Sequence, residues 1–380
     1  MLQVLNRPRR IELTPMIQDE KLSQVGCLIK EETRFKWEPR PLVSILINNY
    51  NYATFLGEAI ESALAQTYDN FEVIVVDDGS TDSSREVIAQ YGNRIVPIMK
   101  ENGGQASAFN AGFAASKGDI ICFLDADDLF LPEKVSSIVK ILDDNPQAGW
   151  CFDRVQEFAN KTGNRYPVAE DWKYGPWDVR AMIAKGVTPS LPTATSGLCF
   201  RRSKLALILP MPEMIRITSD GYIKLVALGL TEGWMASQEL TLQRIHGENA
   251  YTRRQIGKRR IMGLTWLLTG VCLYEQVPTL RRLAIKVFSR GLGMSWIAGA
   301  SRSEYKQLSG SFLRRVALWT KAEIVLRATY CGARLLLPQT RREGKVKSRL
   351  TRTASSQLAR DTAITSRGHE SARHGHGAAE

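Results

Sequence analysis

Three carboxylates, Asp125, Asp127 and Asp128, stand directly after the apolar run Ile120 to Leu124. On an extended chain, side chains two residues apart share a face, so Asp125 and Asp127 would point the same way. Their charges repel unless a cation comes between them. Mg2+ and Mn2+ take oxygen ligands and commonly use only one or two carboxylates, leaving positions for water and phosphate oxygens. A metal held by Asp127 and Asp125 would therefore suit a diphosphate, acting as a Lewis acid on the departing phosphate oxygens. The same residues also fit a solvated turn, with Asp128 near the start of a helix for which Pro132 suits the first position.

Three further polar clusters each follow a short β-rich run: Asn48-Asn-Tyr-Asn51, Asp77-Asp-Gly-Ser-Thr-Asp82 and Asn102-Gly-Gly104. Asp78 has two readings of equal weight. One is an Asx-type turn, for which Asp-Gly-Ser-Thr-Asp is good chemistry. The other is a carboxylate that accepts a hydrogen bond from a ring N–H of a nucleotide base.

The elements that must carry these clusters follow from hydrophobic periodicity. Residues 43–47, 71–76, 95–98, 119–124 and 149–152 read as strands. Helices between them carry Leu56, Ile60 and Ala63, then Val87, Ile88 and Tyr91, then the small residues 106–116, then Val135, Ile138 and Leu142. Strands apolar on both faces, alternating with amphipathic helices, predict an α/β, doubly wound, mostly parallel and Rossmann-like sheet. Ligands of such sheets bind at the carboxyl ends of the strands, and all four polar clusters fall there. They describe one site.

Beyond this core, residues 1–40 read as an irregular N-terminal extension, and 41–152 as the half that binds a nucleotide. Residues 153–252 read as a second half with weaker alternation, 253–338 as a helical C-terminal region, and 339–380 as a disordered basic tail. The chain has 380 residues, 44% of them hydrophobic and 24% charged, with a net charge of +12. That composition excludes a disordered or fibrous protein. The basic excess lies late in the chain, so nucleic-acid binding is not expected. Six cysteines without a CxxC pair read as reduced thiols in a cytoplasmic compartment. Residues 261–277 are interrupted by Glu275 and Gln276, and do not reach the roughly 17 to 25 apolar residues of a spanning helix.

The stretch from Pro41 to Ser84, followed by Glu101 to Val135, strongly resembles family 2 glycosyltransferases of the GT-A fold, because several separated motifs occur in that family's order. The resemblance is dense to about residue 145 and sparser to about 252. It implies an inverting enzyme that moves a sugar from a nucleotide-sugar, with UDP as the expected nucleotide, to a saccharide or lipid-linked acceptor, using Mg2+ or Mn2+. It implies that Asp78 contacts the base and that Asn48 and Tyr50 lie on the nucleotide-binding loop, with Asn102 and Gly103 beside them. Asp125 and Asp127 match the ends of the D-x-D signature, Asp127 being the direct metal ligand. Asp220 falls where the family places its catalytic base, with Ser219 standing where an acidic neighbour is usual. The alternative is that Asp220 caps the helix that follows it. His246, in Arg244-Ile-His-Gly-Glu-Asn249, resembles a segment near the diphosphate. Phe109 replaces an Arg found in many relatives.

Two other functions fit the residues less well than transfer. A nucleotidyltransferase would open with a Gly-rich basic loop after the first strand, where this chain has Asn48-Asn-Tyr-Asn51. A non-catalytic nucleotide-sugar or carbohydrate-binding protein finds support only in Ser219. The C-terminal segments around 313–321 and 324–337 mix apolar and basic residues. They fit either an interfacial helix, with the protein peripheral on the inner face of a membrane, or packing against the catalytic domain.

Overall fold

The structure is a computed structural model that describes residues 40–166, 173–191, 193–247, 249, 258–301, 309–310 and 312–336. The N-terminal extension up to residue 39 and the tail expected from 339 lie outside the described residues. Strands β1 (Val43–Asn49), β2 (Phe71–Asp77), β3 (Val96–Met99) and β4 (Ile120–Asp125) alternate with helices α1 (Ala53–Leu64), α2 (Ser84–Ala89) and α3 (Gln105–Ala115). There follow β5 (Leu129–Phe130), α4 (Lys134–Asp144), β6 (Trp150–Phe152), β7 (Val155–Ala159), β8 (Gly175–Trp177), α5 (Arg180–Ala184), β9 (Leu198–Arg201) and α6 (Arg202–Leu205). The described chain then runs through α7 (Asp220–Leu230), β10 (Gly233–Met235), β11 (Thr241–Ile245), α8 (Arg259–Gln276), α9 (Arg281–Ile297) and α10 (Leu318–Leu336).

The main sheet has the order β3-β2-β1-β4-β9-β6-β10-β8. Its first four strands are parallel. The apolar residues of β1 and β4 are buried on both faces, which is why these strands read as continuous hydrophobic runs. Two cores cover the sheet. Leu46, Ile74, Val76 and Phe123 face α3 and the C-terminal helices on one side, while Ile45, Ile47, Val75 and Leu124 face α1 and α4 on the other.

Strand β9 lies between β4 and β6, antiparallel to both. One local expectation is corrected. The helix after the acidic cluster starts at Lys134, with Glu133 as its N-cap, so Pro132 lies in the turn before it. Within the region expected to be helical from 253, α8 ends before Pro278, which cannot continue it, and a 3-10 turn at Pro278–Leu280 leads into α9.

The register of β9 aligns Cys122, Cys199 and Cys151 side by side across three strands, each fully buried. Contact with Cys199 and burial push the Cys122 thiol up, and burial pushes Cys151 up, so these thiols pack as small apolar groups. A smaller sheet, β5-β11-β7, lies beside the carboxyl end of β4. Among the described residues, no helix is long and apolar enough to cross a membrane.

Candidate active site

Strand register assembles the site. Asn48 of β1 is the direct partner of Asp125 on β4, and Asn49 is that of Asp77 on β2. Across these steps Asn48 Nδ2 donates to Asp125 Oδ1 at 2.8 Å, and Asn49 Nδ2 donates to Asp77 Oδ1 at 3.0 Å. The Oδ1 atoms of both asparagines are buried without a protein partner. Tyr50, just past β1, is 44% exposed at the rim.

Asp77 and Asp78 have different partners. Asp77 makes the Asx-type turn: its Oδ2 accepts from Ser80 N and Arg85 Nε, each at 3.1 Å. Asp78, 3% exposed, is wrapped by the following loop. Its Oδ1 accepts from Lys100 Nζ at 2.7 Å and Gly103 N at 2.9 Å, and its Oδ2 from Gly104 N at 2.7 Å. Asn102 Nδ2 also donates to the Asp78 carbonyl. This wrap needs glycine at position 104. Its φ is +90°, and a Cβ there would meet the Arg216 carbonyl oxygen at 2.7 Å. The guanidinium of Arg216 in turn donates to Asn102. Sequence reading missed both Lys100 and Arg216; a lysine two residues before Asn102 was the available signal.

The three acids after β4 have distinct environments, although ligand atoms of all three lie within 4.8 Å of one another. Asp128 is buried and fully engaged, with Oδ2 accepting from Ser196 Oγ at 2.6 Å and Oδ1 from Arg244 N at 3.0 Å. It therefore ties β11 and the Thr195–Gly197 turn to the end of β4, and it does not begin α4, which corrects the expectation for that residue. Ser196 Oγ also accepts from Asp125 N. Asp127 Oδ2 is approached by His246 Nε2 at 3.1 Å and by Asn249 Nδ2 at 3.2 Å. The His246 ring packs against Tyr52 and Phe55.

Burial, and then the neighbouring Asp127 carboxylate, push Asp125 up to about 7, with Asp220 adding a smaller push. An acid whose ionisation is opposed by burial and by a neighbouring carboxylate, beside the unpartnered oxygen of Asn48, fits a divalent cation on Asp125 and Asp127. The sign of the pH dependence follows. With a folded-state pKa above its unfolded value, Asp125 contributes stability that is lost as pH rises through about 4 to 7. The metal-free chain is therefore expected to melt lower at about pH 8 than at about pH 5, and Mn2+ is expected to restore more at the higher pH. Thermal denaturation with and without Mn2+ reads both effects, and an equal Mn2+ shift at the two pH values would refute the assignment.

Asp220 opens α7, and its Oδ2 pairs with Lys224 Nζ at 2.7 Å. The N-cap of that helix is Ser219, and no side-chain cap bond is made, so Asp220 is not serving as the cap. Ser219 is fully buried, its hydroxyl donating to the Ile215 carbonyl and its N–H to Gln105 Oε1. An acid there would be desolvated against a carbonyl oxygen. Ser219→Asp is accordingly expected to cost about 1–3 kcal/mol of stability, read from urea denaturation. Phe109, in the other departure from the family pattern, is core, packed on Phe123 with ring centroids 4.8 Å apart.

Arg244 is the largest omission of the sequence reading. It donates through Nε to the Asp127 carbonyl at 3.0 Å, through Nη1 to Asn160 and through Nη2 to Glu58 at 2.8 Å. Its guanidinium lies over the rings of Phe55 and Phe158. Beneath the acids, Lys134 is fully buried in an ion pair with Asp153, and also donates to Thr241 Oγ1 and the Ser196 carbonyl. Burial works against the Lys134 ammonium, but Asp153 outweighs it and holds the group above its usual range.

Residues 44–206 match the sequence family described as glycosyl transferase family 2. An uncharacterised glycosyltransferase of Nostoc sp. is 38% identical over 217 residues, 54% of this chain and 66% of that protein. Another, from Rickettsia prowazekii, is 48% identical over 138 residues, 35% of this chain and 42% of that one. The chain thus spans two thirds or less of these relatives. Among solved structures, TarS of S. aureus superposes with a TM-score of 0.54 at 16% identity, covering 77% of this chain and 87% of TarS, a likeness of fold. The match to the glycosyl transferase family 2 model takes in β1, the loop around Asp78, the three acids after β4 and Ser196 beneath them, and the fold is similar to that of GT-A glycosyltransferases.

Proposed function

We propose that the site transfers a sugar from a nucleotide-diphospho-sugar to an acceptor hydroxyl with inversion, in the assembly of a polysaccharide or glycoconjugate. The observation that carries this reading is the convergence of Asp125, Asp127 and Asp220 at one end of the sheet, where Asp220 is close enough to Asp125 for its charge to oppose ionisation. Asp125 and Asp127 would hold Mg2+ or Mn2+, which when bound offsets the charge developing on the leaving diphosphate. Asp220 is the base: Lys224 holds its Oδ2, leaving Oδ1 to accept the acceptor's hydroxyl proton as that oxygen attacks the sugar's anomeric carbon. His246 and Asn249 fix the Asp127 carboxylate, so the ligand is oriented in advance.

The loop of Asn102 and Gly103, with Asp78, Asn48 and Tyr50, would hold the nucleotide. The TarS structure is a complex with UDP-GlcNAc, which supports a UDP-sugar as the first donor class to try. The acceptor would be a saccharide or a lipid-linked sugar. In domain terms, residues 41–152 would hold the donor and 153–252 the acceptor, with 253–338 as the helical region behind them.

A panel of nucleotide-sugars tested by thermal shift with Mn2+, followed by hydrolysis of any that stabilise the protein, tests the reading. At least one donor is expected to raise the melting temperature only with metal and to be hydrolysed slowly. A donor that binds but is neither hydrolysed nor transferred to any acceptor would favour the non-catalytic alternative.

A further inference from the structure

We infer that the outward face of α10 is a docking surface for an anionic lipid bilayer, a reading independent of the transfer reaction. Helix α10 packs on α9 through one edge only, where Ile324, Ala328 and Gly332 are buried. The contact is close: a Cβ on Gly293 of α9 would come within 2.3 Å of the Ala328 carbonyl oxygen. The other side carries Leu318, Trp319, Val325, Leu326, Tyr330 and Leu336, all exposed, with Trp319 at 88%, Leu326 at 73% and Tyr330 at 65%. At 3.6 residues per turn these last three fall within about 40° of one another, so they form a stripe.

Charge decides what can cover the stripe. Residues 312–336 contain Arg314, Arg315, Lys321, Arg327 and Arg334 against the single acid Glu323, which pairs with Arg327, while Arg315 pairs with Glu275 of α8; the sequence continues with Arg341, Arg342, Lys345, Lys347 and Arg349 against Glu343. On α9, Lys286 lies within the field of Arg327 and Arg282, with Glu323 opposing them, so the flank beside the stripe keeps a positive balance. A second copy docking by two-fold symmetry would bring this flank against itself. An anionic membrane surface instead offers an apolar layer to the stripe and headgroup charge to the flank. Trp and Tyr are the side chains that suit that boundary, with an apolar ring and a polar tip. Since no described helix can cross a membrane, α10 would lie in the plane of the surface.

The test is flotation of the full chain with vesicles of phosphatidylcholine alone, or with roughly one third phosphatidylglycerol, at about 0.1 M salt. The protein is expected to float with the anionic vesicles and to stay behind with the neutral ones. The variant Trp319→Ser/Leu326→Ser/Tyr330→Ser is expected to partition at least about tenfold less while melting at the same temperature, because all three side chains are exposed. Unchanged flotation of that variant, which would leave binding to charge alone, overturns the inference. So does a wild-type protein that floats with neither vesicle. Light scattering that shows a dimer, made monomeric by the triple variant with flotation unaltered, assigns the stripe to a second copy instead.

Discussion

Asp220→Asn is expected to lower turnover of a donor and acceptor pair by roughly 10²–10⁴-fold, the usual contribution of a positioned general base. Asn matches Asp in shape but accepts no proton at the pH of the reaction. The substitution removes the partner of Lys224 Nζ, which keeps its second acceptor, the Thr193 carbonyl at 3.1 Å, so the start of α7 should hold. Donor and metal are assigned to Asp125, Asp127 and the Asp78 loop, and the variant should keep the full metal-dependent thermal shift. Asp127→Asn makes the contrast, because it is expected to lose the Mn2+ shift and turnover together. Steady-state kcat and Mn2+-dependent melting, measured on both variants, separate the two roles. An Asp220→Asn enzyme within a few fold of wild type would move the base elsewhere.

The largest expected effect on stability lies below the site. Lys134→Met leaves the Asp153 carboxyl fully buried without its counter-ion, and withdraws a donor from Thr241 and from the Ser196 carbonyl. Removing one partner of a buried pair costs about 3–5 kcal/mol, because the penalty is the stranded acid, ionised or forced to take up a proton, and not only the lost attraction. Urea denaturation is the measurement, and the double substitution Lys134→Met/Asp153→Leu is expected to recover most of the loss. The pair also bears on the chemistry. Ser196, whose carbonyl accepts from Lys134, is the residue whose hydroxyl joins Asp125 to Asp128, so loosening Lys134 should weaken Mn2+ binding as well. A Lys134→Met protein with wild-type stability would show that the pair contributes nothing net.

What was legible in the sequence follows local rules. The parallel strands announce themselves as apolar runs because they are buried on both faces, and polar clusters stand out because each ends such a run. Asp125 and Asp127 could be singled out by spacing alone, since two residues on an extended chain share a face. The same logic failed for Asp128. Its adjacency to a coming helix suggested a cap, while its partners are Ser196 and Arg244, 68 and 116 residues away in the chain.

The sequence by itself determined the α/β class, the first four parallel strands, the acidic cluster and the family pattern that runs through them. Tertiary structure alone decided the rest. Insertion of β9 between β4 and β6 brings Ser196 under the acids, and the pairing of β11 with β5 and β7 brings Arg244 and His246 beside Asp127. It also turned Ser219 inward as a buried hydrogen-bonding group, and left one face of α10 exposed. The physical reason is the range of the forces involved. Periodicity and turn chemistry act over a few residues and are written in local order, whereas a buried carboxylate finds its donors wherever the register of the sheets happens to place them.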